Sequence, residues 1–119
     1  MNQKIVICDD EQEILDITQM ILEDEGFEVI AVIDSTLVED IIERERPDLL
    51  LIDLWMPRLA GNEVISALRK NATIQEIPVI VISASRDGKQ IAYASGADDF
   101  LEKPYDIDAL VEVVRKRIA

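Results

Sequence analysis

The chain contains no histidine. That removes histidine-based zinc sites and Ser-His triads, and any phosphohistidine chemistry must take its histidine from another molecule. There is one cysteine, Cys8, so no intramolecular disulfide can form. Its place in an apolar run predicts burial and fits a reducing, cytoplasmic setting. No apolar run approaches the ~18 residues of a membrane-spanning helix, and the N-terminus lacks the basic region and long apolar block of a signal peptide. No membrane partner is expected. Basic residues are scarce, 12 against 25 acidic ones, and the net charge of −13 argues against direct binding of nucleic acid. Internal repeats, low-complexity tracts and linkers are absent. The 119 residues, 49% of them apolar, are expected to form one domain, 1–119, around a single core.

What is present is organised around the stretch Asp48 to Pro57. Leu49 to Ile52 is a wholly aliphatic run that does not alternate, which predicts a strand buried on both faces, as in a parallel sheet. It ends in a carboxylate, Asp53, and Pro57 forbids continuation. Ligands of open α/β sheets bind outside the carboxyl ends of the strands, so Asp53 is a site candidate by position.

Similar runs recur. Ile5 to Cys8 ends in Asp9-Asp10, and Val79 to Ile82, introduced by Pro78, ends at Ser83. Phe27 to Val32 alternates partly and suits a sheet edge. A short strand around Asp99 to Leu101 leads to Lys103-Pro104. Helical patterns fill the gaps. The first helix has an apolar stripe of Ile14, Ile17 and Ile21, with Leu15 and Leu22 beside it, a capping-box spacing at Asp10 and Glu13, and a stop at Gly26. Thr36 and Glu39 are expected to open the second helix, with Leu37, Val38, Ile41 and Ile42 apolar and Pro47 at its end. After a loop containing Gly61, the third helix carries Val64, Ile65 and Leu68 inward. Asp87 or Ser85 is expected to cap a fourth, holding Ile91, Tyr93 and Ala94 and stopping near Gly96. The fifth, from about Asp106, is expected to bury Ile107, Leu110, Val111, Val114 and Ile118, with Arg115, Lys116 and Arg117 at its negative end.

Strands separated by helical crossovers are parallel and joined right-handedly. The expected fold is therefore α/β: a doubly wound, flavodoxin-like three-layer sandwich on a five-stranded parallel sheet of order 2-1-3-4-5. That order reverses between strands 1 and 3, which brings Asp9, Asp10 and Asp53 to one crevice. Two carboxylates about 4 Å apart repel by roughly 4 kcal/mol at an effective dielectric of 20. Three are tolerable with a cation or with raised pKa values. An all-oxygen site with open positions suits Mg²⁺ (Mn²⁺ can substitute), which reaches for phosphate oxygens. Ser83 and Lys103 add a hydroxyl and an ammonium. Together these are the parts that stabilise a phosphoryl group in transfer, with Asp53 as nucleophile and an aspartyl phosphate as product.

With Asp9-Asp10, Asp53 followed by Met56, Pro57 and Gly61, Ser83-Ala84, and GADDFLEKP from Gly96 to Pro104, the chain resembles a bacterial two-component response-regulator receiver domain along essentially its whole length, of the single-domain, chemotaxis-regulator-like kind. The resemblance implies that Asp53 accepts phosphate from a sensor histidine kinase or a histidine phosphotransfer protein. It implies direct Mg²⁺ ligation by Asp10, a mostly water-mediated role for Asp9, and a further ligand in the backbone carbonyl of Trp55. Ser83 and Lys103 would bind phosphoryl oxygens, and Lys103-Pro104 would be a cis peptide. Phe100 falls at the aromatic switch position coupled to Ser83; lacking a hydroxyl, it can make no switch hydrogen bond. The face of the fourth helix, fifth strand and fifth helix, including Tyr93 and Tyr105, would meet a downstream protein target. Such a domain would be a monomer or weak dimer. It would promote its own phosphorylation and dephosphorylation without being a turnover enzyme.

Each residue taken alone has a plainer reading: Asp10 as a helix cap, Asp53 as a turn residue, Ser83 as a loop hydroxyl, Lys103 as a solvated charge, Phe100 as core. Trp55, the one tryptophan, either packs on its own loop, shields an aspartyl phosphate from water, or anchors a partner. Two other functions compete. An aspartyl-phosphate-forming phosphatase would place a proton-transferring acid where Trp55 stands, and a degenerate binding module would have lost Asp53, Lys103 or the acidic pair. The end at Ala119, just after the last helix, leads us to expect no output domain within the chain, which is then either stand-alone or cut from a longer regulator.

Overall fold

The computed structural model describes residues 2–84 and 87–118. Strands β1 (Lys4–Cys8), β2 (Glu28–Val32), β3 (Leu49–Asp53), β4 (Val79–Ser83) and β5 (Asp99–Glu102) form one parallel sheet of order β2-β1-β3-β4-β5. Helices α1 (Gln12–Asp24), α2 (Val38–Glu45), α3 (Gly61–Lys70), α4 (Gly88–Ser95) and α5 (Ile107–Ile118) are the crossovers, and a 3₁₀ turn at Ser35–Leu37 precedes α2. The expected doubly wound α/β fold is present.

The aliphatic strand runs are explained by the two cores they serve. Successive side chains point to opposite faces. Val6, Cys8, Leu50, Ile52, Val79 and Val81 meet α2, α3 and α4 through residues such as Ile42, Ile65, Leu68 and Ala92. Ile5, Ile7, Leu49, Leu51, Ile80 and Ile82 meet α1 and α5 through Leu15, Leu22, Leu110 and Val114. Every residue of β3 and β4 is buried, whereas in edge strand β2 only Val29 and Val32 are.

Several local expectations are corrected. The buried face of α1 is Leu15, Thr18 and Leu22, and Ile17 is exposed. The two stripes have the same spacing and differ by a shift of one residue. Helix α1 has no capping box at Asp10: its cap residue is Glu11, and Asp9 Oδ1 accepts the Glu11 N–H at 3.0 Å. The turn before α2 is opened by Asp34, whose Oδ1 accepts from the Thr36 N–H and hydroxyl, so Thr36 is not the cap. In α4, Ala92 is buried and Ile91 packs against the core as expected, while Tyr93 and Ala94 are exposed. Asp87 stands at the α4 cap position without a side-chain hydrogen bond, and Ser85 lies outside the described residues. Ile107 opens α5 on its exposed side.

Candidate functional site

The carboxyl ends of β1, β3, β4 and β5 lie level because the ladders run without offset: Cys8 pairs with Ile52, Asp53 with Ile82, and Ser83 with Glu102. The residues at or just past these ends, Asp9, Asp10, Asp53, Ser83 and Lys103, therefore emerge along one rim. Carboxylate oxygens of Asp9, Asp10 and Asp53 all lie within 4.8 Å of one another. Lys103 Nζ stands 3.3 Å from Asp9 Oδ2 and 3.5 Å from Asp53 Oδ1. Asp9, Asp53 and Ser83 are buried, and Asp10 is more open to solvent.

Electrostatics follow from that crowding. Burial pushes the Asp53 carboxyl up to about 6; the Lys103 ammonium opposes this, and the charges of Asp9 and Asp10 add to it. For Lys103 burial works downward, but the Asp53 and Asp9 charges, the Asp9 hydrogen bond and Glu11 outweigh it, so its pKa is raised. Cys8, buried beneath the acidic pair, has its thiol pushed up to about 12 by burial and then by Asp9 and Asp53, which leaves it an unreactive core residue.

The donor set fits a small hard dication. Three carboxylate oxygens gathered within 4.8 Å give the hard, all-oxygen set that Mg²⁺ takes, with room left for water and phosphate oxygens. Asp9 is the most committed of the three: Oδ1 takes the Glu11 N–H and Oδ2 faces Lys103. Trp55 follows on the loop after β3 with its indole half exposed.

Two glycines shape the rim in a way that side-chain chemistry did not signal. The Gly61 N–H donates to Leu54 O at 2.8 Å, and a Cβ there would lie 2.9 Å from Leu54 Cα and collide with the Asp53 carbonyl. Close approach of backbone to backbone selects glycine. A Cβ on Gly88 would lie 2.9 Å from Ser83 Oγ, so α4 starts directly against that hydroxyl. The Lys103 N–H donates to Ser83 O at 2.9 Å, and the Lys103-Pro104 peptide is cis. On the far side of the rim, Arg58 pairs with Asp34 at 2.9 Å and the Ser35 hydroxyl donates to Leu59 O at 2.7 Å, tying the loop after β2 to the loop after β3. Phe100 is half-buried, against the core shared by α2, α3 and α4.

Residues 5–115 match the family described as the response regulator receiver domain. The chain belongs to that family. Among solved structures, the receiver domain of response regulator 1452 from Francisella is 31% identical, with a TM-score of 0.89 over 98% of this chain and 97% of that one. The chemotaxis protein CheY4 of Vibrio cholerae is 25% identical, with a TM-score of 0.91 over 98% of this chain and 99% of its own. NtrX from Brucella abortus is 32% identical, with a TM-score of 0.89; 99% of this receiver matches 27% of that longer chain. The acidic pocket of the receiver is one that can hold a metal ion. None of the described helices is long and apolar enough to cross a membrane.

Proposed function

We propose that this receiver takes a phosphoryl group onto Asp53 from a phosphohistidine on a sensor kinase or phosphotransfer protein. The carrying observation is the ammonium of Lys103 set between Asp53 and Asp9, beside a three-carboxylate cluster. An Asp53 oxygen forms the new bond to phosphorus while the phosphorus–nitrogen bond to the donor imidazole breaks, the electron pair leaving with that nitrogen. Lys103 balances the charge on the equatorial oxygens, and the Ser83 hydroxyl, on the neighbouring strand end, serves as their hydrogen-bond donor. Asp9, Asp10, Asp53 and the Trp55 carbonyl would hold Mg²⁺, which when bound supplies further positive charge to the phosphoryl oxygens.

Phosphorylation then shifts an existing equilibrium between two conformations. Ser83 and the half-buried Phe100 couple the site to the face of α4, β5 and α5, where Tyr93 is exposed and a downstream protein would dock. The domain acts as a switch, and its own dephosphorylation resets it.

Incubation with Mg²⁺ and acetyl phosphate, read by intact mass and peptide mapping, tests the reading. A single stable phosphoryl adduct on Asp53, abolished in Asp53→Asn, is the expected result. Continuous phosphate release would replace it with a phosphatase, and no adduct would leave only a binding module.

A further inference from the structure

We propose that Asp34 and Ser35, on the loop after β2, are positioning residues for the metal: they hold a strained turn at Arg58, and through it the stretch that carries the Trp55 carbonyl. This rests on the phosphoacceptor reading above, in which that carbonyl is a Mg²⁺ ligand, and specifies what keeps it in place.

Arg58 has a φ of 69°, in the left-handed region that residues other than glycine rarely adopt. Across it the Leu59 N–H donates to Pro57 O at 2.8 Å, so Arg58 is the centre of a γ-turn of the rare, strained hand. Glycine would take this conformation freely. A larger residue keeps it only where the surroundings over-determine it, and such strain gathers at functional sites. The surroundings here are two contacts from the loop after β2. Arg58 Nη1 donates to Asp34 Oδ2 at 2.9 Å, and the buried Ser35 hydroxyl donates to Leu59 O at 2.7 Å. Asp34 is itself fixed, because its Oδ1 accepts from the Thr36 N–H at 3.0 Å and from the Thr36 hydroxyl at 2.7 Å.

The loop is closed at its base by the Gly61 N–H on Leu54 O, and Met56 and Leu59 pack against the core. Trp55 lies between that base and the turn. If Arg58 relaxes to negative φ, the chain changes direction three residues after Trp55, and the backbone before it must follow. Exposed ion pairs add little stability. The Arg58 side chain is 71% exposed, so its pairing with Asp34 acts on the shape of the loop rather than on the fold.

Arg58→Ala separates position from charge, because the two predict opposite signs. Removing a positive charge from a chain of net charge −13 would by itself tighten Mg²⁺ binding. Losing the tether while a side chain still stands at positive φ should weaken it. The expected result is a Kd for Mg²⁺, by calorimetric titration, about tenfold higher than the parent's. In EDTA, acrylamide quenching of Trp55, the one tryptophan, should rise. Ser35→Ala, which changes no charge, should weaken Mg²⁺ likewise. Arg58→Gly, which keeps the turn without strain, should stay within about twofold of the parent. Labelling of Asp53 by acetyl phosphate should need more Mg²⁺ in Arg58→Ala yet reach the parent's rate at saturation. Mg²⁺ binding in Arg58→Ala as tight as the parent's, or tighter, overturns the inference. So does an equal loss in Arg58→Gly, which would make the side chain and not the turn the cause, and so does labelling that stays slow at saturating Mg²⁺. If the parent itself binds no Mg²⁺ and takes no label, the phosphoacceptor reading fails first and this inference with it.

Discussion

Lys103 Nζ lies 3.5 Å from Asp53 Oδ1, joining the end of the edge strand β5 to the end of the central strand β3 across the sheet's carboxyl rim. The same amine faces Asp9, so its single positive charge is shared between two buried carboxylates. Lys103→Met is expected to destabilise the fold by about 1–3 kcal/mol, the cost of leaving buried polar groups without their partner. It should also slow Asp53 phosphorylation by acetyl phosphate about a hundredfold or more, through lost electrostatic stabilisation. Thermal melts and timed mass spectra check both, and a normal phosphorylation rate would remove Lys103 from the chemistry.

Mutual repulsion of Asp9, Asp10 and Asp53 predicts opposite effects of Asp10→Asn with and without metal. In EDTA the variant should melt higher than the parent, because one charge of the cluster is gone. Mg²⁺ at about 100 times its Kd should stabilise the parent by about 2.7 kcal/mol and the variant by much less. Equal stabilisation of the two would exclude Asp10 as a ligand.

The raised Asp53 pKa sets a pH dependence whose sign is fixed. Between its ordinary value of 3.8 and about 6, the folded protein keeps a proton that the unfolded chain has released. The contribution of this group is therefore fullest below the unfolded value and is lost as pH rises through about 6. In EDTA, Asp53→Asn should melt above the parent at pH 7.5, and the gap should close toward pH 4. Mg²⁺ affinity should fall about tenfold from pH 7 to pH 5 as the proton competes with the metal. Calorimetric titrations showing no such decline would contradict the assignment.

Gly61 packs its backbone against Leu54 and Asp53 with no room for a methyl group. Gly61→Ala is expected to cost about 1–3 kcal/mol as the backbone shifts and to slow acetyl phosphate labelling of Asp53 by displacing the strand end. A variant that melts like the parent would show that the loop yields freely.

Trp55 lies two residues after Asp53 with its side chain half exposed, and we propose that it shields an aspartyl phosphate from attacking water. Trp55→Asn should dephosphorylate several-fold faster, a change of about 1 kcal/mol in barrier. A rate equal to or slower than the parent's would discard shielding.

The topology was legible because β3 and β4 lie in the middle of the sheet, and only unbroken aliphatic runs satisfy two cores at once. The polar residue closing each run marked the rim for the same reason: the strand leaves the core there. Helix faces were harder to read. On α1, Ile14, Ile17 and Ile21 have the same spacing as Leu15, Thr18 and Leu22, and the second stripe is the one buried because it is the one turned toward β1 and β2. Of the three isoleucines only Ile17 stays exposed, while Ile21 still packs against the core from the edge of the buried face. Caps were misassigned to Asp10 and Thr36 because neighbouring acidic residues, Asp9 and Asp34, offered the same chemistry one or two positions earlier.

The sequence by itself determined the order of elements, the burial of the strands and the chemical identity of each strand-end group, since all three depend on local pattern. Only the tertiary structure decided that the ladders run level, that Lys103 reaches both Asp9 and Asp53, and that Gly61 and Gly88 stand against Asp53 and Ser83. Those distances arise from the packing of segments remote in the chain, and local periodicity carries no information about them.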